Sequence, residues 1–122
     1  MATVHREVVL SRDDFTKLLE ENTGIMIFKF SASWCNPCKF ISPTVETNIK
    51  ELKEHVTFYD VDVDESFDLY AYLKTKKMLN GIPAILAYYK GNTSYASDSC
   101  VIGANLDEIN TFFATISTVS IE

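Results

Sequence analysis

The chain has 122 residues, 47% of them apolar and 23% charged, and carries a formal net charge of −6. That is the size and composition of one soluble domain with apolar material for a single core. No apolar run approaches the roughly 20 residues of a membrane helix, no basic-then-apolar leader opens the chain, and no basic cluster favours nucleic acid or an anionic membrane. The three cysteines are an odd set, unlike the even frameworks of secreted scaffolds, so a cytoplasmic, reducing location is expected. No repeat, linker or low-complexity tract divides the chain, and residues 1–122 are read as a single domain.

In chain order, Val8-Val9-Leu10 within 6–10 is a short strand candidate. Ser11 caps a helix over 12–21, with Asp13 and Asp14 in its first turn and Phe15, Leu18 and Leu19 on its apolar face. Asn22-Thr23-Gly24 ends it. The run 25–32 is nearly all apolar and reads as a central strand covered on both faces, broken only by Lys29. Ser33-Trp34 turns the chain into a helix that starts at Cys35, contains Pro43, where a kink is expected, and runs to about Glu54. Residues 56–63 are a third strand. Residues 65–79 suit a helix stopped by Asn80-Gly81, and 84–89 a fourth, apolar strand. After a turn at Lys90-Gly91-Asn92, a weaker strand is expected over 95–102. Asn105 caps a last helix carrying Leu106, Ile109, Phe112, Phe113 and Ile116, and the tail from Ser117 is read as frayed. The order β-α-β-α-β-α-β-β-α predicts an α/β fold: a mixed sheet of about five strands with helices on both faces.

The chemistry concentrates in Trp34-Cys35-Asn36-Pro37-Cys38-Lys39. Two thiols three apart at a helix start can close and reopen a small disulfide ring. Unpaired N–H groups and the positive end of the helix dipole favour a thiolate on Cys35. Pro37 fits the first helical turn and stiffens the ring. Trp34 and Pro37 are expected to shield one sulfur and leave the other reachable; Trp34 can contact a substrate or pack partly into the core. The competing readings are two inert buried thiols or half of a zinc site. Zinc needs four ligands, and His5 and His55 are isolated in sequence with no second Cys-x-x-Cys; no metal is assigned. Asn36 and Pro37 lie where groups act on redox potential; for Asn36 the competing reading is a tolerated surface residue. Cys100, far from the pair, reads as a small half-buried hydrophobe or a site of intermolecular disulfide formation. Asp60, Asp62 and Asp64 alternate with valines as a strand edge; a calcium loop would need other offsets.

Trp34 to Lys39 resembles the active site of the thioredoxin family, whose usual form is Trp-Cys-Gly-Pro-Cys-Lys; Asn36 replaces the glycine. Further motifs fall at matching places over essentially the whole chain: Phe30-Ser31-Ala32-Ser33 before the cysteines, similar to eukaryotic-type members, then Val61-Asp62-Val63-Asp64, Gly81-Ile82-Pro83 and Gly103-Ala104. The resemblance implies a thioredoxin fold and a protein disulfide reductase. Cys35 would be the nucleophile, forming a mixed disulfide that Cys38 resolves. It implies a cis bond at Pro83, with the Ile82 backbone offered to an extended substrate strand, and Gly103-Ala104 on the opposite rim. Against these stand an ordinary trans proline and a simple turn.

One departure stands out. The family's usual buried aspartate, six residues before the first cysteine, is here Lys29, and the neighbouring position on the third strand is Asp60. A lone buried lysine is costly, so Lys29 is expected to pair with Asp60. It would favour a Cys38 thiolate as a cation, act as a base if neutral, or snorkel to solvent with no role. No cofactor is expected, since no glycine-rich nucleotide turn is present. The partners implied are disulfide-containing proteins and a separate thioredoxin reductase or other electron donor, with the chain a monomer. The rival functions are a thiol oxidant or isomerase, and a non-catalytic interaction module of the same fold.

Overall fold

A computed structural model describes residues 4–121. The order is β1 (Val4–Val8), α1 (Arg12–Glu21), β2 (Ile25–Ser31), α2 (Asn36–Lys50), β3 (Val56–Asp62), α3 (Phe67–Thr75), β4 (Ala84–Tyr89), β5 (Ser99–Ile102) and α4 (Leu106–Ser117). The five strands form one sheet in the order β1-β3-β2-β4-β5. β1 and β2 flank β3 in parallel, and β4 and β5 add antiparallel at the other side. This is the mixed sheet the sequence predicts.

Alternation along the strands divides the core in two. Phe28, Phe30, Tyr59, Val61, Leu86 and Tyr88 meet α1 and α3 on one face. Ile25, Ile27, Phe58, Ile85 and Ala87 meet α2 and α4 on the other. Ile27, Phe28 and Phe30 are fully shielded, and burying side chains of this size contributes about 1.5–3 kcal/mol each. β2, central in the sheet and covered on both faces, is therefore the near-continuous apolar run seen in the sequence.

α1 begins at a full capping box. The Asp14 N–H donates to Ser11 Oγ at 3.1 Å, and the Ser11 N–H donates to Asp14 Oδ2 at 3.1 Å. These bonds from the Ser11 backbone and side chain hold the Asp14 carboxyl below its ordinary range. Asn105 caps α4 in the same manner, accepting the Glu108 N–H at 3.0 Å.

Several boundaries differ from the sequence reading. β1 lies earlier, ending at Val8, because parallel pairing with β3 runs from Val4 to Val8; the Leu10 N–H already leaves the ladder for Ser66 Oγ. α2 stops at Lys50, where Glu51 and Leu52 close three-residue turns onto Asn48 and Ile49. Pro43 does lie inside α2. α3 ends four residues short of the sequence reading. Its stop is a Schellman turn: the Lys77 N–H donates to the Lys74 carbonyl and the Met78 N–H to that of Leu73, both at 3.0 Å. Lys77 takes the left-handed conformation there, at φ +63°.

β5 is shorter than read because side chains within 92–96 bond the backbone of that stretch. Asn92 Oδ1 accepts the Ser94 N–H, Ser94 Oγ accepts the Ala96 N–H, and the Asn92 amide donates to the Ala96 carbonyl. After α4, where fraying was expected, Val119 and Ile121 pack against the α2–α4 core.

Candidate active site

The parallel strands β2 and β3 aim their carboxyl ends at the start of α2. From Ser31 the chain turns so that the Cys35 N–H donates to the Ala32 carbonyl at 3.1 Å. Cys35 is the N-cap of α2, with extended backbone (φ −88°, ψ 105°), and its Sγ accepts the Cys38 N–H at 3.2 Å. Pro37 sits in the first helical turn. Cys35 and Cys38 are joined as a disulfide, with Cα atoms 5.3 Å apart. A sulfur in the N-cap position meets the free N–H groups and positive dipole end of a 15-residue helix; that environment stabilises a thiolate once the bond is reduced.

Both cysteines are shielded, Cys35 at 4% exposed and Cys38 at 6%. The expected contrast between a hidden and a reachable sulfur is therefore absent in the bonded state. Cys35 is turned onto the helix end it caps. Asn36 and Pro37, between them, are exposed.

Trp34 is 64% exposed, so it is a surface residue rather than part of the core. Its indole N–H donates to Asp64 Oδ2 at 2.8 Å, and Asp62 Oδ1 in turn accepts the Asp64 N–H at 2.8 Å. The sequence alone assigned Asp62 and Asp64 only to a strand edge. Their role as the anchor of Trp34 depends on where β3 ends beside the β2–α2 turn.

The Ile82–Pro83 peptide is cis. The Pro83 carbonyl accepts the Gly103 N–H at 2.8 Å, and Gly103 has φ +98°, a conformation glycine adopts without steric cost. Ile82 packs against the core cluster that contains both cysteines, whereas Ala104 packs against the other cluster. The structure thus ties Pro83 to Gly103 and packs Ile82 against the α1–α3 core.

Lys29 and Asp60 are direct neighbours in the β2–β3 register. On the α2 side of the sheet, apolar positions (Ile25, Ile27; Val56, Phe58) give way to Lys29 and Ser31, and to Asp60 and Asp62, as the strands approach the cysteines. Lys29 Nζ lies 3.1 Å from Asp60 Oδ1, with the two side chains 11% and 23% exposed. The pair is formed, and Lys29 does not simply reach out to solvent. Asp60 Oδ2 also holds His5 Nε2. His5, isolated in sequence, is brought there by the pairing of β1 with β3, and its ring packs edge-on against Phe58 at 5.2 Å between centroids. Only the strand order could have revealed it.

On the α2 side, Lys29, Cys38, Ser42 and Glu46 line an open cavity of about 600 Å³. Lys29, Asp60 and Glu7 line another of about 460 Å³. Lys29 thus lines both the cavity that Cys38 borders and the one that Asp60 and Glu7 of β1 border. Cys100 lies apart from all of this, exposed and unbonded on β5, rather than half-buried.

A disulfide at the N-terminus of α2, a cis-proline leading into β4 and the β1-β3-β2-β4-β5 sheet are accompanied by a sequence match to the Thioredoxin family over residues 6–115. The chain belongs to the thioredoxin family. Thioredoxin-2 of Saccharomyces cerevisiae is 30% identical over 95 residues, 78% of this chain and 83% of that protein. A thioredoxin domain-containing protein of Theileria parva is 33% identical over 88 residues; the match takes in 69% of this chain but only 38% of that longer protein. Among solved structures, Fasciola hepatica thioredoxin superposes with a TM-score of 0.67 at 29% identity, covering 90% of this chain and 97% of that one. With its bonded Cys35–Cys38 pair, the domain is a thioredoxin-like dithiol–disulfide oxidoreductase.

Proposed function

We propose that the domain works as a reductase of disulfides in other proteins. The observation that carries this reading is the position of Cys35 at the N-cap of α2, bonded to a cysteine one turn in. In the reduced form, the Cys35 thiolate attacks one sulfur of a substrate disulfide. A bond forms between Cys35 and that sulfur, and the other substrate sulfur leaves as a thiolate. Cys38, deprotonated, then attacks the Cys35 sulfur. The intramolecular disulfide closes, and the second substrate sulfur leaves as a thiolate. Two electrons have passed to the substrate, and a separate thioredoxin reductase or another dithiol donor returns them to Cys35–Cys38. The chain acts as a cytoplasmic monomer without a bound cofactor.

The surrounding residues have assignable parts. Trp34, held by Asp64, and the Ile82–Pro83 and Gly103–Ala104 segments form the walls against which an extended substrate strand lies, with the Ile82 backbone as its hydrogen-bonding edge. Asn36 and Pro37 act on the potential of the pair. The Lys29 ammonium, fixed by Asp60 and sharing a cavity with Cys38, favours the Cys38 thiolate needed in the second step.

Replacing Cys38 with serine removes the resolving thiol. Incubated with a disulfide-bonded protein, Cys38→Ser is expected to accumulate a covalent complex through Cys35, visible on a non-reducing gel and dissolved by dithiothreitol. The unmodified chain is expected to accelerate insulin reduction by dithiothreitol. The absence of both would leave the second reading, a non-catalytic interaction module. The lysine at the position of the family's buried aspartate favours that module.

A further inference from the structure

The rim of the redox site is unevenly charged. On the Trp34 side stand Asp62, Asp64 and Glu65. Beyond Pro83, at the end of α3, the chain gathers Lys74, Lys76 and Lys77, all exposed, within a molecule of net charge −6. Among the described residues, none of these three amines is in an ion pair with a carboxylate. Lys76 Nζ rests between the Tyr72 and Tyr95 rings, 5.9 and 5.4 Å from their centroids, and Lys74 Nζ lies 5.8 Å from that of Tyr70.

Lys74 and Lys77 border a cavity of about 440 Å³ whose apolar walls are Met78, Leu79 and Ile102. Both ends of this cleft lead directly to the proposed substrate walls. Asn80 continues through Gly81 into Ile82 and the cis bond, and Ile102 continues into Gly103, whose N–H is bonded to Pro83. Lys77 adds a second observation. It occupies the left-handed position that ends α3, where glycine is the usual residue and a side chain is strained. An outlier of this kind at the border of a site points to a use for the side chain it carries.

We propose that this cleft is a substrate subsite that receives an aspartate or glutamate from the protein strand lying along Ile82. The inference rests on the reductase reading and names the substrate class for that site. The carboxylate meets the Lys74 and Lys77 ammonium groups, and its methylenes lie on Met78 and Ile102. Both amines are exposed and lack a carboxylate partner, so pairing with the incoming acid breaks no ion pair within the domain. The selectivity runs against the overall charge. A net charge of −6 by itself draws in basic substrates, whereas the subsite favours acidic ones.

The test compares two peptides of equal length, each with one disulfide, one flanked by glutamates and the other by lysines. The ratio of their kcat/KM values is measured with the intact chain and with a Lys74→Glu, Lys77→Glu double variant. The intact chain is expected to favour the acidic peptide by about tenfold at low ionic strength, mainly through KM, and to lose most of that preference at about 0.5 M salt. The double variant is expected to reverse it. Equal rates for both peptides, a preference for the basic one, or a ratio the double variant leaves unchanged would overturn the subsite while the reductase reading stands. If the double variant does not fold, the salt dependence of the intact chain decides, and a preference indifferent to salt overturns the subsite. An intact chain that reduces neither peptide nor insulin overturns the reductase reading and the subsite together.

Discussion

Lys29 is the residue at which sequence and site part most clearly from the common pattern. A lysine inside an apolar strand demands a counter-charge, and Asp60 is its register partner on the adjacent strand. That much follows from the cost of burying an isolated charge. His5 does not, because its approach to Asp60 depends on β1 lying beside β3 rather than beside β2. Trp34 makes the same point. Its place next to Cys35 is read directly from the chain, but its bond to Asp64 requires the fold. The Lys29→Leu variant leaves Asp60 bonded to His5 alone. It is expected to lower stability by about 1–2 kcal/mol, since the pair is only partly shielded. On the proposed role of the Lys29 ammonium in favouring the Cys38 thiolate, the variant is also expected to move the pH midpoint of mixed-disulfide resolution upward. Rapid-quench measurement of Cys38 ring closure from about pH 6 to 9 checks this, and an unmoved midpoint removes Lys29 from the mechanism.

At the level of elements, what was legible had a strong local cause. β4 is an unbroken apolar run between cis-Pro83 and a turn, and its bounds agree residue for residue. α1 and α4 carry side-chain caps at Ser11 and Asn105 and start where those caps place them. Where the cause was not local, the boundary moved. The end of α3 has no glycine to mark it, because Lys77 itself adopts the left-handed turn, and Asn80-Gly81 drew the boundary too far along. β5 lost its first residues to side-chain bonds from Asn92 and Ser94 that no alternation pattern reveals. Lys77→Gly relieves the strained turn and is expected to raise stability by about 0.5–1 kcal/mol, less the greater freedom glycine gains in the unfolded chain. Chemical denaturation checks the sign; a decrease would mean that the lysine's own contacts outweigh the backbone strain.

For the whole molecule, the division into two cores was implicit in the alternation of the strands, and the order of elements gave the sheet. The site lies where three separate segments end near one another: the β2–α2 turn, the cis-Pro83 approach to β4 and the β5–α4 turn. In the α1–α3 core, which holds the Tyr59 and Tyr88 phenols, the ionisation of Tyr88 is coupled to folding. Tyr88 is fully buried, and its hydroxyl donates to the Tyr95 carbonyl at 2.6 Å. Burial, reinforced by Asp98, lifts the phenol far above its ordinary range. A raised phenol keeps its proton in the folded state while the unfolded chain loses its own near pH 10. The stability it contributes is thus complete below about pH 10 and declines as pH rises beyond it. The Tyr88→Phe variant is expected to be less stable at neutral pH by about 1 kcal/mol, from the lost bond. The gap should narrow above about pH 10, as urea midpoints across that range would show.

The sheet also has two open margins. β1 presents Val-His-Arg-Glu-Val along one of them, and β5 offers only four residues on the other. Charge in mid-strand and brevity are two means by which natural proteins discourage unwanted docking of a foreign strand onto free backbone groups. Both margins thus discourage the recruitment of stray strands, and with it the growth of fibrils when the molecule is crowded.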